Sequence, residues 1–235
     1  MGLFLEKSVI VEFNGLPATG KTTIANALAE KLQQDDIQCI RNFIRFKWQR
    51  NGRTVLLSPK LLLLYFRLRR FANGIKPRKN RFTHILGEMF HCRSYMDFLQ
   101  TTKEKKVLVV DQGLIQSIIS IANLDKIEDK APLDKIVDFY KKNKIVFISV
   151  DCVVDPQFSY ERIKDRPDNT ARMHRIPREE LLSAMKRQAD NFALVRDCFS
   201  QKLSIKAISI DTESDPIENA SIIINRLITD GYISE

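Results

Sequence analysis

The stretch Gly15-Leu16-Pro17-Ala18-Thr19-Gly20-Lys21-Thr22 constrains this chain more than any other. Before it, Val9-Ile10-Val11-Glu12-Phe13 is a short, β-branched run of the kind that forms a buried strand. After it, Ile24, Ala25, Leu28, Ala29 and Leu32 recur at helical spacing through Gln33. A strand, a G-x-x-x-x-G-K-T turn and a helix together predict a loop whose backbone N–H groups converge on phosphate oxygens, with the helix N-terminus behind them. In such a loop Gly15, Ala18, Thr19, Gly20, Lys21, Thr22 and Thr23 surround a nucleotide. Lys21 reaches its outer phosphates and the Thr22 hydroxyl holds Mg²⁺.

The rest of the chain repeats this alternation. Apolar runs at 37–41, 107–111, 145–151 and 207–211 read as further strands. Helical patterns fill 82–104, 113–124, 132–143, 156–165, 178–200 and 216–229. Alternating strands and helices predict an α/β fold, a doubly wound five-stranded parallel sheet in one domain spanning 1–235. Ligands then gather at the carboxyl ends of the strands, where Asp111, Asp151 and Asp211 stand. The N-terminus lacks the basic start and apolar stretch of a secretion signal, and no apolar run is long enough to cross a bilayer. Cys39, Cys92, Cys152 and Cys198 form no C-x-x-C pair. The expectation is a cytoplasmic protein with reduced thiols. His84 and His91, seven apart on a predicted helix, read as structural.

Charge is placed unevenly. Residues 41–81 hold 13 Lys and Arg and no acid, while the remaining residues hold 25 basic and 29 acidic side chains. Within that segment the alternation of Ile44, Phe46 and Trp48, followed by Asn51-Gly52, predicts a β-hairpin. Ser58-Pro59 then starts a helix that Asn73-Gly74 ends. Two readings of the segment stand open. It is a solvated basic face with a core helix, or it meets an anionic partner such as a membrane surface or a glycan. Nucleic acid is not the expected partner, and a homodimer stays open for the chain as a whole.

Several blocks resemble the thymidylate kinase family. Met89-Phe90-His91-Cys92-Arg93-Ser94-Tyr95 is similar to that family's arginine-bearing helix, and Val107 to Asp111 with Gln112-Gly113 is similar to its Asp-Arg strand end. Residues 149–166 look like its fourth strand and the entrance to its lid. The resemblance implies an ATP- and Mg²⁺-dependent phosphotransferase acting on a small acceptor. Arg93, Gln112 and Arg45 would meet that acceptor. Asp111 would serve the metal, together with Thr22, or orient the acceptor. A lid over 166–177 would bring Arg166, Arg172 and Arg175 to the phosphates, joining Lys21 in catalysis. The chain departs from the family at Gln112, where an arginine stands, and at Arg41-Asn42-Phe43, where an acid stands. The Asp-Gln-Gly turn also looks like a thymidylate-kinase-like group among surface-polysaccharide proteins. That keeps open a kinase acting on a sugar or lipid-linked glycan, and a binding module that uses nucleotide without catalysis.

Overall fold

The computed structural model describes residues 3–41, 58–74, 81–101, 105–122, 125–165 and 177–234. The predicted hairpin and the predicted lid up to residue 176, with Arg45, Arg166, Arg172 and Arg175, lie outside the described residues. Strand β1 (Phe4–Leu5) is followed by β2 (Val9–Asn14), helix α1 (Lys21–Gln34) and β3 (Cys39–Arg41). Helices α2 (Pro59–Asn73) and α3 (Arg81–Thr101) lead to β4 (Val107–Val110). Then come α4 (Leu114–Ala122), α5 (Ala131–Lys142), β5 (Ile148–Val153), α6 (Pro156–Lys164), α7 (Arg178–Leu203), β6 (Ala207–Asp211), α8 (Pro216–Thr229) and β7 (Ile233–Ser234).

Five strands form one parallel sheet in the order β3-β4-β2-β5-β6. Because side chains alternate along a strand, β2 faces two cores. Val9, Val11 and Phe13 pack with α1 and α8 on one face, and Ile10 joins the larger core under α2, α3, α4, α5 and α7 on the other. Near-continuous burial of β2 and β4 follows from helices covering both faces. The order places β2 at the centre, with β3 and β4 to one side and β5 and β6 to the other. The loop after β2 therefore emerges where the winding reverses, the crevice such sheets offer to ligands.

Differences from the sequence reading are at the element ends. The fourth sheet strand begins at Ile148, since Ile145 and Phe147 are buried in the approach to it, and it runs past Asp151 to Val153. Asp151 thus lies within its strand instead of at its tip. A short antiparallel pair, β1 with β7, joins the two ends of the chain, a contact across more than 220 residues for which the sequence carried no local signal. The four cysteines are free thiols.

Candidate nucleotide and phosphoryl-transfer site

The loop from Gly15 to Gly20 uses conformations that other residues resist. Gly15 has φ 146° and Gly20 φ 82°. A Cβ on Gly15 would stand 2.6 Å from the Cys152 carbonyl oxygen. Ala18 also has positive φ, at 60°. Thr19 stitches the loop from inside: its buried hydroxyl donates to the Leu16 carbonyl at 3.0 Å. Lys21 folds back over the loop. Its Nζ donates to the carbonyls of Gly15 at 2.9 Å and Leu16 at 2.5 Å, and to Thr19 Oγ1 at 3.2 Å.

Helix α1 starts at Gly20 with no side-chain cap. Helices α2, α5 and α7 also start without a side-chain cap, whereas α6 and α8 have one. Each follows an Asp-Pro pair, and the aspartates take up their first N–H groups: Asp155 accepts from Gln157 N at 2.7 Å, Asp215 from Ile217 N at 2.8 Å. At α1 no side chain takes that place, so the partial positive charge of the helix end faces the loop.

Asp111, the first residue after β4, meets this helix end. The Thr22 hydroxyl donates to Asp111 Oδ2 at 3.0 Å, across 89 residues of sequence. Parallel pairing of β2 and β4 makes the contact, because it brings both carboxyl ends to the same edge. Arg41, the last residue of β3, joins them from the next strand. Its Nη2 stands 4.0 Å from Asp111 Oδ2, 3.4 Å from the Thr22 carbonyl, and bonds the Asn26 side chain. Burial lowers the pKa of the Arg41 guanidinium, while Asp111 acts in the opposite direction. Its Nη1 is enclosed without a hydrogen-bond partner. This is a largely covered cation beside Asp111 and the start of α1.

Beneath Asp111 lies a buried acid that the sequence reading passed over. Glu12 follows Ile10 onto the larger core face and is fully buried. Its Oε2 accepts from Leu114 N and from the Tyr95 hydroxyl, both at 2.9 Å, and its Oε1 accepts from Ile115 N at 2.8 Å. The carboxyl thus caps α4 from a strand two elements away in space. Gly113 is required for room: a Cβ there would fall 2.2 Å from Glu12 Cδ and 2.4 Å from the Tyr95 hydroxyl. Burial raises the Glu12 pKa to about 7, outweighing the lowering effect of the hydrogen bonds from Ile115, Tyr95, Leu114 and Asn14. Glu88 on α3, bonded to the Tyr140 hydroxyl, is also buried and pushed well above the ordinary carboxylate range by desolvation.

Helix α3 turns Glu88, His91 and Tyr95 inward at i, i+3 and i+7. His91 lies close enough to Asp111 to feel its charge, yet desolvation dominates and holds the imidazole down at about 4, so it is neutral. Arg93 is exposed and pairs with Asp97, one turn on, at 2.9 Å. Gln112 is exposed in the bend before α4. Arg93 and Gln112, expected at the acceptor, have no described contact with Thr22, Lys21 or Asp111, which an acceptor site does not require. Thr23 is exposed on the first turn of α1.

Asp151 belongs to a different cluster. Asn14 Nδ2 donates to Ser149 Oγ at 3.1 Å, that hydroxyl donates to Asp151 Oδ1 at 2.7 Å, and Arg196 of α7 approaches Asp151 Oδ2 at 3.4 Å. The group forms the polar end of a cavity of about 190 Å³, walled by Leu16, Ile115, Val153, Phe192 and Ala193 among others. Asn14 Oδ1 is buried there without a partner.

The residues brought together are therefore loop 15–22, Asp111 and Arg41, with Glu12 supporting the turn that carries Asp111. A charge inside a β-branched run was the available signal for Glu12. For Arg41 the signals were its place at a strand end and the family's acid at that position. No protein-family model and no curated protein matches the chain. Among the described residues, no three His, Cys, Asp or Glu side chains form a metal-holding group, and no helix is long and apolar enough to cross a membrane.

Proposed function

We propose that this chain is a P-loop phosphotransferase, thymidylate-kinase-like in fold, that moves the γ-phosphate of a nucleoside triphosphate to a small acceptor. The observation that carries the proposal is the convergence of Thr22 and Asp111 at 3.0 Å beside a helix start with no side-chain cap and a lysine folded over its loop. Each part alone has bland explanations. Together they put oxygen donors, N–H donors and an ammonium where a triphosphate would need them.

The Thr22 hydroxyl and the Asp111 carboxylate are hard oxygen donors, which suits Mg²⁺; the ion fills its remaining positions with water and phosphate oxygens. When bound, it would neutralise charge on the phosphates. The protein's own groups do the rest. Lys21 would exchange its loop carbonyls for phosphate oxygens. The loop N–H groups would orient the β- and γ-phosphates. Arg41 would add positive charge beside Asp111. In phosphoryl transfer such positioning and neutralisation supply most of the rate. Glu12 holds the Asp111-Gln112-Gly113 turn in place.

The acceptor is the open part. Gln112 carries no charge for an acceptor phosphate, which argues against a nucleoside monophosphate held in the family's usual way. The test is transfer of labelled phosphate from Mg·ATP to a panel of nucleosides, nucleoside monophosphates, sugars and lipid-linked sugars. Wild type should label one class, and Lys21→Ala should label none while keeping its thermal midpoint within a few degrees. Equal labelling by Lys21→Ala and wild type would remove the argument from the loop. Efficient dTMP phosphorylation would overturn the inference drawn from Gln112.

A further inference from the structure

We propose that the outer face of α2, with the first turn of α3, is a docking surface for an anionic lipid membrane. Helix α2 has two apolar faces. Leu61, Leu64, Leu68, Phe71 and Ala72 are buried against the core, so that face is occupied. On the far side Leu62, Leu63 and Phe66 remain 46%, 47% and 55% exposed, and Phe82 of α3 is 57% exposed beside them. Tyr65 ties the patch together: its ring meets Phe66 at 5.6 Å and Phe82 at 6.5 Å, edge to face.

At 100° per residue, Leu62, Leu63, Phe66, Arg69 and Arg70 share an arc of about 120° on α2. Arg69 and Arg70 are exposed, as is Lys60 one turn before Leu63 and Leu64. Arg67, next on the arc, is engaged elsewhere, bonding the Lys135 carbonyl and lying 5.9 Å from the Phe139 ring centre. The patch is therefore apolar at its centre and cationic at its edge, within a segment, 41–81, that contains no acid at all. That is the composition of a helix lying in the headgroup plane. With 15 residues it is too short to span, so it would lie flat.

Charge decides among the occupants. A second copy seated symmetrically over Leu62 and Phe66 would run antiparallel and set Arg69 and Arg70 against the exposed Lys60 end of its partner, like charge on like. Nucleic acid would meet aliphatic side chains and phenyl rings at the centre instead of hydrogen-bond donors. An anionic bilayer satisfies both halves, taking Leu62, Leu63, Phe66 and Phe82 below its headgroups and the arginines among its phosphates. The proposal does not depend on any catalytic activity.

Cosedimentation of the full-length protein with vesicles tests it, using phosphatidylcholine alone and phosphatidylcholine mixed with phosphatidylglycerol. Binding should require the anionic lipid at low salt and fade at ~0.5 M salt, where the screening length is only a few ångströms. Each basic residue near the surface changes partitioning by about fivefold. Arg69→Gln with Arg70→Gln should therefore weaken binding about 30-fold. Leu62→Ser with Phe66→Ser should abolish it even at low salt. None of the four is in the buried core, so both variants should remain folded, which a separate thermal denaturation of each checks. The proposal is overturned if the protein stays in the supernatant at low salt, if it binds neutral vesicles equally well, or if either variant binds like wild type. It is also overturned if the patch variants lose self-association or RNA binding while vesicle binding is unchanged.

Discussion

Replacing Gly113 by alanine adds one methyl group, yet it should be among the most damaging single changes available outside the phosphate loop. The new Cβ would stand 2.2 Å from Glu12 Cδ, 2.3 Å from Glu12 Oε2 and 2.4 Å from the Tyr95 hydroxyl. Ordinary contact needs about 3.4 Å or more, so these groups must move by roughly 1 Å in a close-packed interior. Glu12 cannot move that far and keep the N–H groups of Leu114 and Ile115, which it holds at 2.9 and 2.8 Å. Leaving buried donors unpaired costs about 1–3 kcal/mol each, and overpacking alone costs about 1–3 kcal/mol. These sum to about 3–9 kcal/mol, equivalent to a loss of at least roughly 6 °C in midpoint for a chain of this size. Chemical denaturation with a fluorescence readout measures it. The double variant Glu12→Ala with Gly113→Ala sharpens the test. With Glu12 truncated, only the Tyr95 hydroxyl obstructs the methyl group, so the added cost of Gly113→Ala should fall by about 2 kcal/mol or more. A loss below about 1 kcal/mol for Gly113→Ala, or full additivity of the two changes, would refute the reasoning.

Asp111→Asn should cost far more transfer activity than Asp151→Asn, because only Asp111 touches Thr22; similar losses in steady-state turnover would show that the wrong carboxylate has been assigned. Arg41→Gln should lower transfer by about tenfold or more while the chain still unfolds cooperatively, since the guanidinium is a charge beside Asp111. Wild-type rates in that variant would place Arg41 outside the chemistry. Glu12 should make stability fall as pH rises: its pKa is about 7 when folded and near 4.5 when unfolded, so the favourable protonated form is fully present below 4.5 and lost through 7. Glu88 acts with the same sign, because burial raises its pKa too. Between pH 5 and 7 the Glu12 share is roughly 2 kcal/mol, and Glu12→Gln should flatten the slope by that amount. An unchanged slope in the variant would show that Glu12 is ionised throughout.

The sequence by itself determined the strand, loop and helix of residues 9–34, the alternation that makes a parallel sheet, and the start of α2 at Ser58-Pro59. These are local matters. Glycine at positive φ, proline at a first helical turn and apolar spacing act within a few residues, so a reader of the sequence meets cause and effect together. Asp111 was legible for a similar reason, since a carboxylate directly after an apolar strand lies on the ligand edge of any such sheet.

Only the tertiary structure decided the rest. Strand order places β4 beside β2, and with it Asp111 on Thr22 and Arg41 on Asp111. The same order sends Asp151 to the far side of β2, to pair with Arg196 of α7. Three aspartates near strand ends look alike in one dimension and differ only through their neighbours. Glu12 makes the same point from inside the core. As a letter it interrupts an apolar run; in space its carboxyl caps a helix that begins 102 residues later, and the room it takes explains why residue 113 has no side chain. Such contacts are set by register and packing between distant segments, for which a single sequence carries no period and no motif.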